Sequence, residues 1–367
     1  MNTKFSEGLT PNPDSMPIDG TELSPGSLLA KPKWVKVPPC RGRLSLPMAL
    51  IAALWRAMEK RRPRGFEAVS RRQALLKDID IVSLTKPGAV FVSDIPSSTN
   101  AEGAFMPASR LYLPRGVNAA RLLVYFHGGG YVVGSLDSVD SFCRLLCHKS
   151  GMAVLSVDYR LAPENPYPAA LEDARAVWQW LQESRSPSAT LISESDGRLQ
   201  LPQKLPLLVA GDSAGAHLCI SLCLSLRDAG LPLPAGQILL YPVTNMASFD
   251  TPAYEQFGSG YILETKDMEW FRSCYLPDTS LWSHPLLSPL VSADPAGLPP
   301  ALVLTSEFDI LRDEGEAWAG RMHQAGVPVV ACRMPGVIHG FATMTAVGRS
   351  AHKTIKLICG FMDWIGA

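Results

Sequence analysis

Two short motifs in this chain contain residues that acyl transfer requires, and each directly follows an apolar run. His127–Gly130 (HGGG) follows Leu122–Phe126, and Gly211–Gly215 (GDSAG) follows Leu205–Ala210. A serine with glycine two residues before and two residues after it suits a sharp turn from a strand into a helix, because side chains at the flanking positions would collide. The glycine run exposes backbone N–H groups that can face a developing oxyanion. Together the motifs predict an acyl-transfer enzyme whose nucleophile is Ser213.

The serine motif alone also fits a glycine-serine turn in a βαβ unit with no chemistry. Its context favours catalysis, because an apolar strand precedes Ser213 and residues Ala214–Arg227 have a helical pattern with few breakers. A serine hydroxyl is a poor nucleophile until a base takes its proton, and the base needs a carboxylate to hold its tautomer. In one large class of serine hydrolases these residues occur in the order serine, acid, histidine. The acid and the base are therefore sought C-terminal to Ser213.

His339 is the predicted base. It lies in the loop Pro335–Phe341, after the apolar run Val327–Cys332, and a loop histidine followed by glycine can approach a serine at a neighbouring strand end. The histidines at positions 323 and 352 fall in helical stretches, and the one at position 284 precedes the acid candidates, which breaks the expected order. His217 follows Ser213 by one helical turn and is predicted to be a half-buried residue of the helix packing.

Three carboxylates follow the predicted strand Ala301–Thr305 and compete for the role of the acid. Asp309 is the predicted acid, because it falls inside the loop before the helical stretch Glu314–Gln324. Asp313 is predicted to cap that helix, whose acidic first turn suits a helix N-terminus. Glu307 is a candidate to brace the nucleophile turn.

With these residues in place, the chain resembles the hormone-sensitive-lipase-like branch (family IV) of the α/β-hydrolases. The resemblance rests on HGGG, on Asp158–Glu164 (DYRLAPE), on GDSAG and on the positions of Asp309 and His339, and it covers about residue 110 to the C-terminus. Ala216 departs from the family pattern, which often has a further glycine there. The resemblance implies an α/β fold, with an α/β-hydrolase core whose mostly parallel central sheet is flanked by helices, and a helical cap.

The resemblance also implies a role for each site residue. Ser213 would attack an ester carbonyl while His339 takes its proton and Asp309 stabilises the imidazolium, and water would then hydrolyse the acyl-enzyme. His127 would hold the glycine run without transferring protons, and the DYRLAPE segment would pin a loop near the site. The implied oxyanion hole consists of the backbone N–H groups of Gly128, Gly129, Gly130 and Ala214.

The composition is typical of a globular enzyme: 47% of the residues are hydrophobic, and 34 basic residues balance 34 acidic ones. A net charge of zero gives no electrostatic argument for a nucleic-acid partner. The eight cysteines and their neighbouring histidines match no metal-ligand pattern, so free thiols, no metal and no cofactor are expected. Neither a secretory signal nor a membrane-spanning run is visible, and a cytoplasmic location is expected. One basic cluster is predicted to be a solvated helix face, with weak membrane contact as the alternative; it contains Lys60, Arg61, Arg62, Arg64, Arg71 and Arg72.

The chain is expected to divide into three parts. Residues 1–44 are rich in Pro, Gly, Ser and Thr and are predicted to be partly disordered. Residues 45–85 begin with a helical apolar pattern and, by the resemblance, form N-terminal cap helices. Residues 86–367 are expected to form the α/β-hydrolase catalytic domain, with a second, aromatic-rich cap piece at about 248–276. Within that domain, the polar stretch Ser184–Lys204 is predicted to be a surface loop.

The resulting prediction is a carboxylic-ester hydrolase for short to medium acyl esters, with a small-molecule ester as its partner. An amidase, lactonase or deacetylase of one specific metabolite is the first alternative, because the same triad serves all of these reactions. A ligand-binding receptor on a hydrolase scaffold is the second. Plant hormone receptors that resemble this family lack the base, so the presence of His339 argues against this alternative. Dimers are common in the resembled family, which makes a homodimer an expectation by analogy.

Overall fold

The computed structural model of the chain describes residues 42–59, 68–72, 83, 90–99, 105–189, 192–195 and 198–366. Residues 1–44 are the segment predicted to be partly disordered, and residues 1–41 of it lie outside the described residues. So does much of the predicted N-terminal cap region, including the basic residues at positions 60–64.

The strands of the described chain are β1 (Val90–Ile95), β2 (Ser98–Thr99), β3 (Phe105–Met106), β4 (Ser109–Pro114), β5 (Leu122–Phe126), β6 (Ala153–Val157), β7 (Arg185–Ser186), β8 (Ser193–Ser195), β9 (Arg198–Pro202), β10 (Leu207–Asp212), β11 (Gln237–Leu240), β12 (Ala301–Phe308) and β13 (Val329–Ile338). Among the described residues, eight of these strands form one central sheet in the order β1-β4-β6-β5-β10-β11-β12-β13. β4 runs antiparallel to both of its neighbours, and every pair from β6 to β13 is parallel. The sheet is therefore mostly parallel, as an α/β-hydrolase core requires.

Helices cover both faces of the sheet, which is why the central strands are continuous apolar runs. The labelled helices of the described chain are α1 (Leu46–Glu59), α2 (Leu136–Ser150), α3 (Ala169–Glu183), α4 (Ala214–Asp228), α5 (Pro252–Phe257), α6 (Thr265–Tyr275), α7 (Pro289–Ser292), α8 (Arg312–Gln324) and α9 (Ser350–Ile365), and Thr279–Leu281 form a 3₁₀ turn. Residues 68–72 are also helical. Along β5, Leu122 and Val124 face a core that includes residues of α3, α4 and α8, whereas Leu123 and Tyr125 face a core that includes residues of α2 and α9.

The stretch Ser184–Lys204 differs from the predicted surface loop, because β7, β8 and β9 pair within it. Leu199 and Leu201 alternate with polar residues along β9, and both are buried. This period-two pattern is a strand signal that the polar composition of the stretch concealed.

The described cysteines are free thiols, and those of α2 and α4 are buried. Burial raises the pKa of the Cys147 thiol to about 12, so these side chains act as small hydrophobic residues. In the part of the chain that the structure describes, no helix has the length and hydropathy to cross a bilayer.

Candidate active site

Ser213 lies between the end of β10 and the start of α4, in a backbone conformation with φ 55° and ψ −118° that L-residues rarely adopt. The flanking glycines allow this turn. A Cβ atom on Gly211 would lie 2.3 Å from the carbonyl carbon of Gly215, and one on Gly215 would lie 2.0 Å from the Phe126 carbonyl oxygen. The spacing of the GDSAG motif is therefore a packing requirement of the turn.

Ser213, His339 and Asp309 form one chain of hydrogen bonds. Ser213 Oγ lies 3.0 Å from His339 Nε2, and His339 Nδ1 lies 2.7 Å from Asp309 Oδ2. The Asp309 side chain is fully buried and that of His339 is 12% exposed. With Nδ1–H donating to the carboxylate, Nε2 of a neutral imidazole is left to accept the serine proton. The geometry therefore suits a general base acting on Ser213.

Two neighbouring parallel strands bring the predicted acid and the predicted base together. Asp309 follows β12 directly, and its Oδ1 accepts the N–H of Leu311 at 3.0 Å, which fixes the carboxylate. His339 follows β13 directly, and its ring lies 4.8 Å from the ring of the buried Tyr241. Strand ends and packing thus determine the orientation of both side chains.

The other two carboxylates of this region have different contacts from those predicted. Asp313 does not cap its own helix: its carboxylate accepts the N–H of Ala253 at 2.8 Å and pairs with Arg312 at 2.7 Å. Glu307 is not bonded to the nucleophile turn. Its two oxygens accept the N–H groups of Gly42 and Gly336, at 2.9 Å and 2.6 Å.

The glycine loop, residues 128–134, lies beside Ser213. Its turn is closed by the Gly129 carbonyl, which accepts the N–H groups of Val132 and Val133 at 3.0 Å and 2.9 Å. Gly129 and Gly130 have φ values of 122° and 61°. A Cβ atom on Gly130 would lie 2.2 Å from the Phe271 ring, so that ring covers the loop directly.

Asp212, the residue before the serine, joins the two motifs. Its Oδ1 accepts the hydroxyl of Tyr125 at 2.8 Å and the N–H of Gly128 at 2.9 Å. Burial raises the pKa of the Asp212 carboxyl above its ordinary value, and the Tyr125 hydrogen bond opposes that rise. Because the Gly128 N–H is already bonded, Gly128 differs from its predicted role as an oxyanion donor. Sequence reasoning missed Asp212, since its place in the motif does not reveal its partners.

His127 has contacts that fix the glycine loop. Its Nδ1–H donates to the Gly128 carbonyl at 2.7 Å, and its ring stacks on Tyr159 with centroids 4.3 Å apart. Burial lowers the pKa of the His127 imidazole, which favours the neutral ring. The Tyr159 hydroxyl donates to the His127 carbonyl at 2.7 Å. Tyr159 belongs to the DYRLAPE segment, so that segment reaches the site through this contact.

His217 is fully buried, and so more buried than predicted. Its Nδ1 lies 2.6 Å from the hydroxyl of Tyr131, the residue that follows the HGGG motif. Burial lowers the pKa of the His217 imidazole to about 4, so the ring is neutral at pH 7 and shares a neutral hydrogen bond with the phenol. The Tyr131 ring in turn stacks on Tyr275 of α6, with centroids 3.8 Å apart. This pair of rings connects the glycine loop to the aromatic segment, residues 248–276.

Arg71 and Arg72 contact the protein, contrary to the prediction of a solvated basic face. The Arg72 guanidinium donates to the carbonyls of Val132 and Ala162 at 2.7 Å and 2.8 Å, and it forms a two-pronged ion pair with Glu164. Arg71 pairs with Asp267 of α6 at 2.9 Å. The helical residues 68–72 are therefore bonded both to the glycine loop and to the aromatic segment.

The aromatic segment is itself held by an arginine. The guanidinium of Arg272 lies between the rings of Phe249 and Trp282, 4.3 Å and 3.6 Å from their centroids, and donates to the Met246 carbonyl at 3.0 Å. Tyr254 and Tyr275 are buried, whereas four further aromatic rings of the segment are half-buried: Phe257, Tyr261, Trp270 and Phe271.

Comparison with known proteins finds an α/β-hydrolase family model and several ester hydrolases. A family model described as alpha/beta hydrolase fold matches residues 123–343. The carboxylic ester hydrolase LipN of Mycobacterium tuberculosis is 39% identical over 76% of this chain and 69% of its own length. The ethyl acetate hydrolase of Pseudomonas putida is 38% identical over 73% of this chain and 80% of its own length. The solved structure of the hyperthermophilic esterase from Pyrobaculum calidifontis covers 88% of this chain and 99% of its own, at 31% identity and a TM-score of 0.75.

Proposed function

Because this chain belongs to the hormone-sensitive-lipase-like branch of the α/β-hydrolases and is a carboxylic ester hydrolase, we propose that it cleaves short to medium acyl esters through Ser213, His339 and Asp309. The observation that carries the proposal is the hydrogen-bond chain from Ser213 Oγ through His339 to Asp309, with links of 3.0 Å and 2.7 Å. It begins at a serine held in a strained turn at a strand end, where a nucleophile is accessible to substrate.

In the proposed reaction, Ser213 Oγ attacks the ester carbonyl carbon as His339 Nε2 takes the hydroxyl proton. Asp309 stabilises the imidazolium through its bond to Nδ1–H. The tetrahedral intermediate collapses, and His339 gives the proton to the departing alcohol. Water, activated by the same nitrogen, then attacks the acyl-enzyme, and the acid product leaves Ser213 free.

The negative charge of the tetrahedral intermediate needs backbone donors. The N–H groups of Gly129, Gly130 and Ala214 donate to no acceptor among the described residues, and they lie on the two motifs that Asp212 joins. We assign the oxyanion hole to these three groups and leave out Gly128, whose N–H is bonded to Asp212. Losing one such donor costs on the order of 3 kcal/mol of transition-state stabilisation.

Two observations support short to medium acyl groups. The Phe271 ring lies directly over Gly130, so aromatic side chains limit the space above the oxyanion donors. One relative with 38% identity has the name ethyl acetate hydrolase. An ester with a small acyl group is therefore the proposed substrate, and a long-chain triacylglycerol is not.

The direct test is hydrolysis of p-nitrophenyl esters from acetate to palmitate by the wild type and by Ser213→Ala. Wild-type kcat/KM should be highest for the short chains and fall towards palmitate. Ser213→Ala should lower kcat by about 10⁶-fold, because the nucleophile and the base act as one unit. Turnover that survives in a folded Ser213→Ala protein would show that another group is the nucleophile.

Asp309→Asn and Asp313→Asn form a matched pair for the acid. Asp309→Asn should lower kcat by about 10⁴-fold, since an amide no longer holds the base in the required tautomer. Asp313→Asn removes a carboxylate four residues away that contacts Ala253 and Arg312, and it should affect mainly thermal stability. The reverse pattern would make Asp313 the acid. If the folded wild type cleaves none of the esters, an amidase, lactonase or deacetylase with one specific substrate becomes the better proposal.

A further inference from the structure

The last strand of the sheet bulges just before the predicted base. Ser306 of β12 pairs with Met334 of β13, but Phe308 pairs with Ile338, so one residue of β12 lies opposite three residues of β13, 335–337. Gly336 lies within this bulge with φ 69°. A bulge leaves backbone groups without ladder partners, and when buried these groups must be satisfied in another way.

The Glu307 carboxylate satisfies one of these groups, the Gly336 N–H. Glu307 is the β12 residue opposite the bulge, it is 1% exposed, and its Oε2 accepts the Gly336 N–H at 2.6 Å. Its other oxygen, Oε1, accepts the Gly42 N–H at 2.9 Å. Both oxygens of this buried carboxylate are thus used as acceptors of backbone N–H groups.

The N-terminal segment, residues 42–52, satisfies a second backbone group of the bulge, the Gly336 carbonyl. The Ser45 N–H donates to the Gly336 carbonyl at 2.9 Å, and the Ser45 carbonyl accepts the Ala49 N–H in the first turn of α1. Met48 of α1 is buried in the core on one face of the sheet. Residues 42–52 are therefore anchored to the bulge by hydrogen bonds and by apolar packing.

We infer that Glu307, together with the backbone of Gly42 and Ser45, is a positioning residue for His339. The inference rests on the proposed function, because it assigns His339 the role of base. Gly336 precedes His339 by three residues, and Asp309 follows Glu307 by two. One carboxylate thus fixes the strand end that holds the base relative to the strand end that holds the acid, and the N-terminal segment completes the arrangement.

This arrangement explains why the 2.7 Å bond between Asp309 and His339 is formed at the end of an irregular strand pair. Without the Glu307 bonds, the bulge could shift by a fraction of an ångström, and a displacement of about 1 Å in a catalytic group can cost about a hundredfold in rate. Gly42, which belongs to the segment predicted from sequence to be partly disordered, takes part in holding the site.

The test is Glu307→Gln. Glutamine has one carbonyl oxygen for two N–H groups, and its amide N–H₂ would face a second donor, so one bond is lost at unchanged size. The expected result is a fall in kcat of about tenfold to a hundredfold with little change in KM for p-nitrophenyl acetate. The far-downfield proton NMR signal of His339 Nδ1–H bonded to Asp309 should broaden or shift, while the thermal unfolding curve stays cooperative.

Glu316→Gln is the matched control. Glu316 also reaches β13, through a paired contact with Arg333 at 2.6 Å, but it does not contact Gly336 or the residues that follow it. Its loss should lower thermal stability and leave both kcat and the downfield signal as in the wild type. Equal effects in the two variants would mean that any charge removed next to β13 acts alike, and the inference would be wrong.

Other outcomes of the Glu307→Gln experiment also support or overturn the inference. If folded Glu307→Gln keeps wild-type kcat and the wild-type downfield signal, the inference is overturned. If Glu307→Gln does not fold, Ser45→Pro takes its place, because proline removes the N–H that bonds to Gly336 from the other side; a reduced kcat with an altered signal supports the inference, and wild-type values overturn it. The NMR signal does not require ester hydrolysis, so an inactive wild type would count against the proposed function alone.

Discussion

The two halves of the site are held by different kinds of interaction. In the half that contains Ser213 and the glycine loop, the backbone is packed so closely that positions such as Gly211 and Gly215 have no space for a Cβ atom, and the buried side chains of His127 and Asp212 bond to it. In the half formed by residues 68–72 and the aromatic segment, arginine side chains make the connections: Arg72 to the Val132 carbonyl and Arg71 to Asp267. Substitutions in the first half should therefore abolish activity, whereas substitutions in the second half should reduce it only in part.

The largest effect expected from this contrast is that of Gly215→Ala. Its Cβ atom would lie 2.0 Å from the Phe126 carbonyl oxygen, and neither backbone can move without displacing Ser213. The substitution should cost more than about 4 kcal/mol and abolish ester hydrolysis. Thermal unfolding and soluble yield measure the first effect, and p-nitrophenyl acetate turnover measures the second.

Gly151→Ala is the control for that substitution. Gly151 ends α2 with φ 69°, and a Cβ atom there would meet nothing within 4 Å. It should cost only the left-handed backbone penalty, about 1–2 kcal/mol, with normal activity. A Gly215→Ala enzyme that folds and turns over like Gly151→Ala would remove the distinction between the two halves.

The next effect concerns His217, which lies where the two halves meet. Its folded-state pKa of about 4 is below the unfolded value of about 6.5. Between about pH 4 and pH 6.5, the unfolded chain therefore binds a proton at this imidazole, whereas the folded chain does not. The stability that the neutral ring contributes is complete above about pH 6.5 and is lost as the pH falls towards 4, by about 3 kcal/mol in total.

His217→Gln should reduce this acid-side loss, since glutamine does not titrate and its side-chain amide can either donate to or accept from the Tyr131 hydroxyl. The measurement is the unfolding temperature between pH 7 and pH 4 for both proteins. His352→Gln, a change at an exposed residue of α9, should keep the wild-type slope. If His217→Gln has that same slope, the buried imidazole is not the source of the acid sensitivity.

The smallest effect expected is that of Arg72→Ala. Its partner Glu164 has a half-exposed side chain, and such ion pairs contribute at most about 1 kcal/mol. The bonds to the Val132 and Ala162 carbonyls add to this, so kcat/KM should fall about threefold to tenfold. Arg121→Ala removes a comparably exposed arginine whose partner is Asp363, and kinetics of this variant should match the wild type. A complete loss of activity in folded Arg72→Ala would show that the half formed by residues 68–72 and the aromatic segment also tolerates almost no substitution.

The same contrast explains which features could be predicted from the sequence. The spacing of the glycines around Ser213 falls within five residues, and apolar runs mark the strands of the mostly parallel sheet, so both are visible in the chain itself. The choice of Asp309 and His339 depended on their following strands that end at the same edge of a parallel sheet. Their catalytic roles remain predictions, although the geometry brings them together.

The partners of the polar side chains could not be predicted in this way. The Glu307 carboxylate bonds to a residue 265 positions away, and Arg72 bonds to one 60 positions away. No periodicity or motif links such residues, because each contact is formed only when the core brings distant segments together. Asp313 shows the same limit, since its position in the first turn of a helix suggested a cap and its carboxylate bonds to Ala253 of another helix instead.

The left-handed backbone at Ser213 also has an evolutionary consequence. Such a conformation in a non-glycine residue costs about 1–3 kcal/mol of folding free energy, and a glycine at this position would relieve it while removing the hydroxyl. Selection for thermal robustness alone would therefore favour loss of the proposed nucleophile, and only selection for turnover retains it. Directed evolution of this enzyme towards heat resistance needs an activity screen at every round, because its most stable descendants include inactive ones.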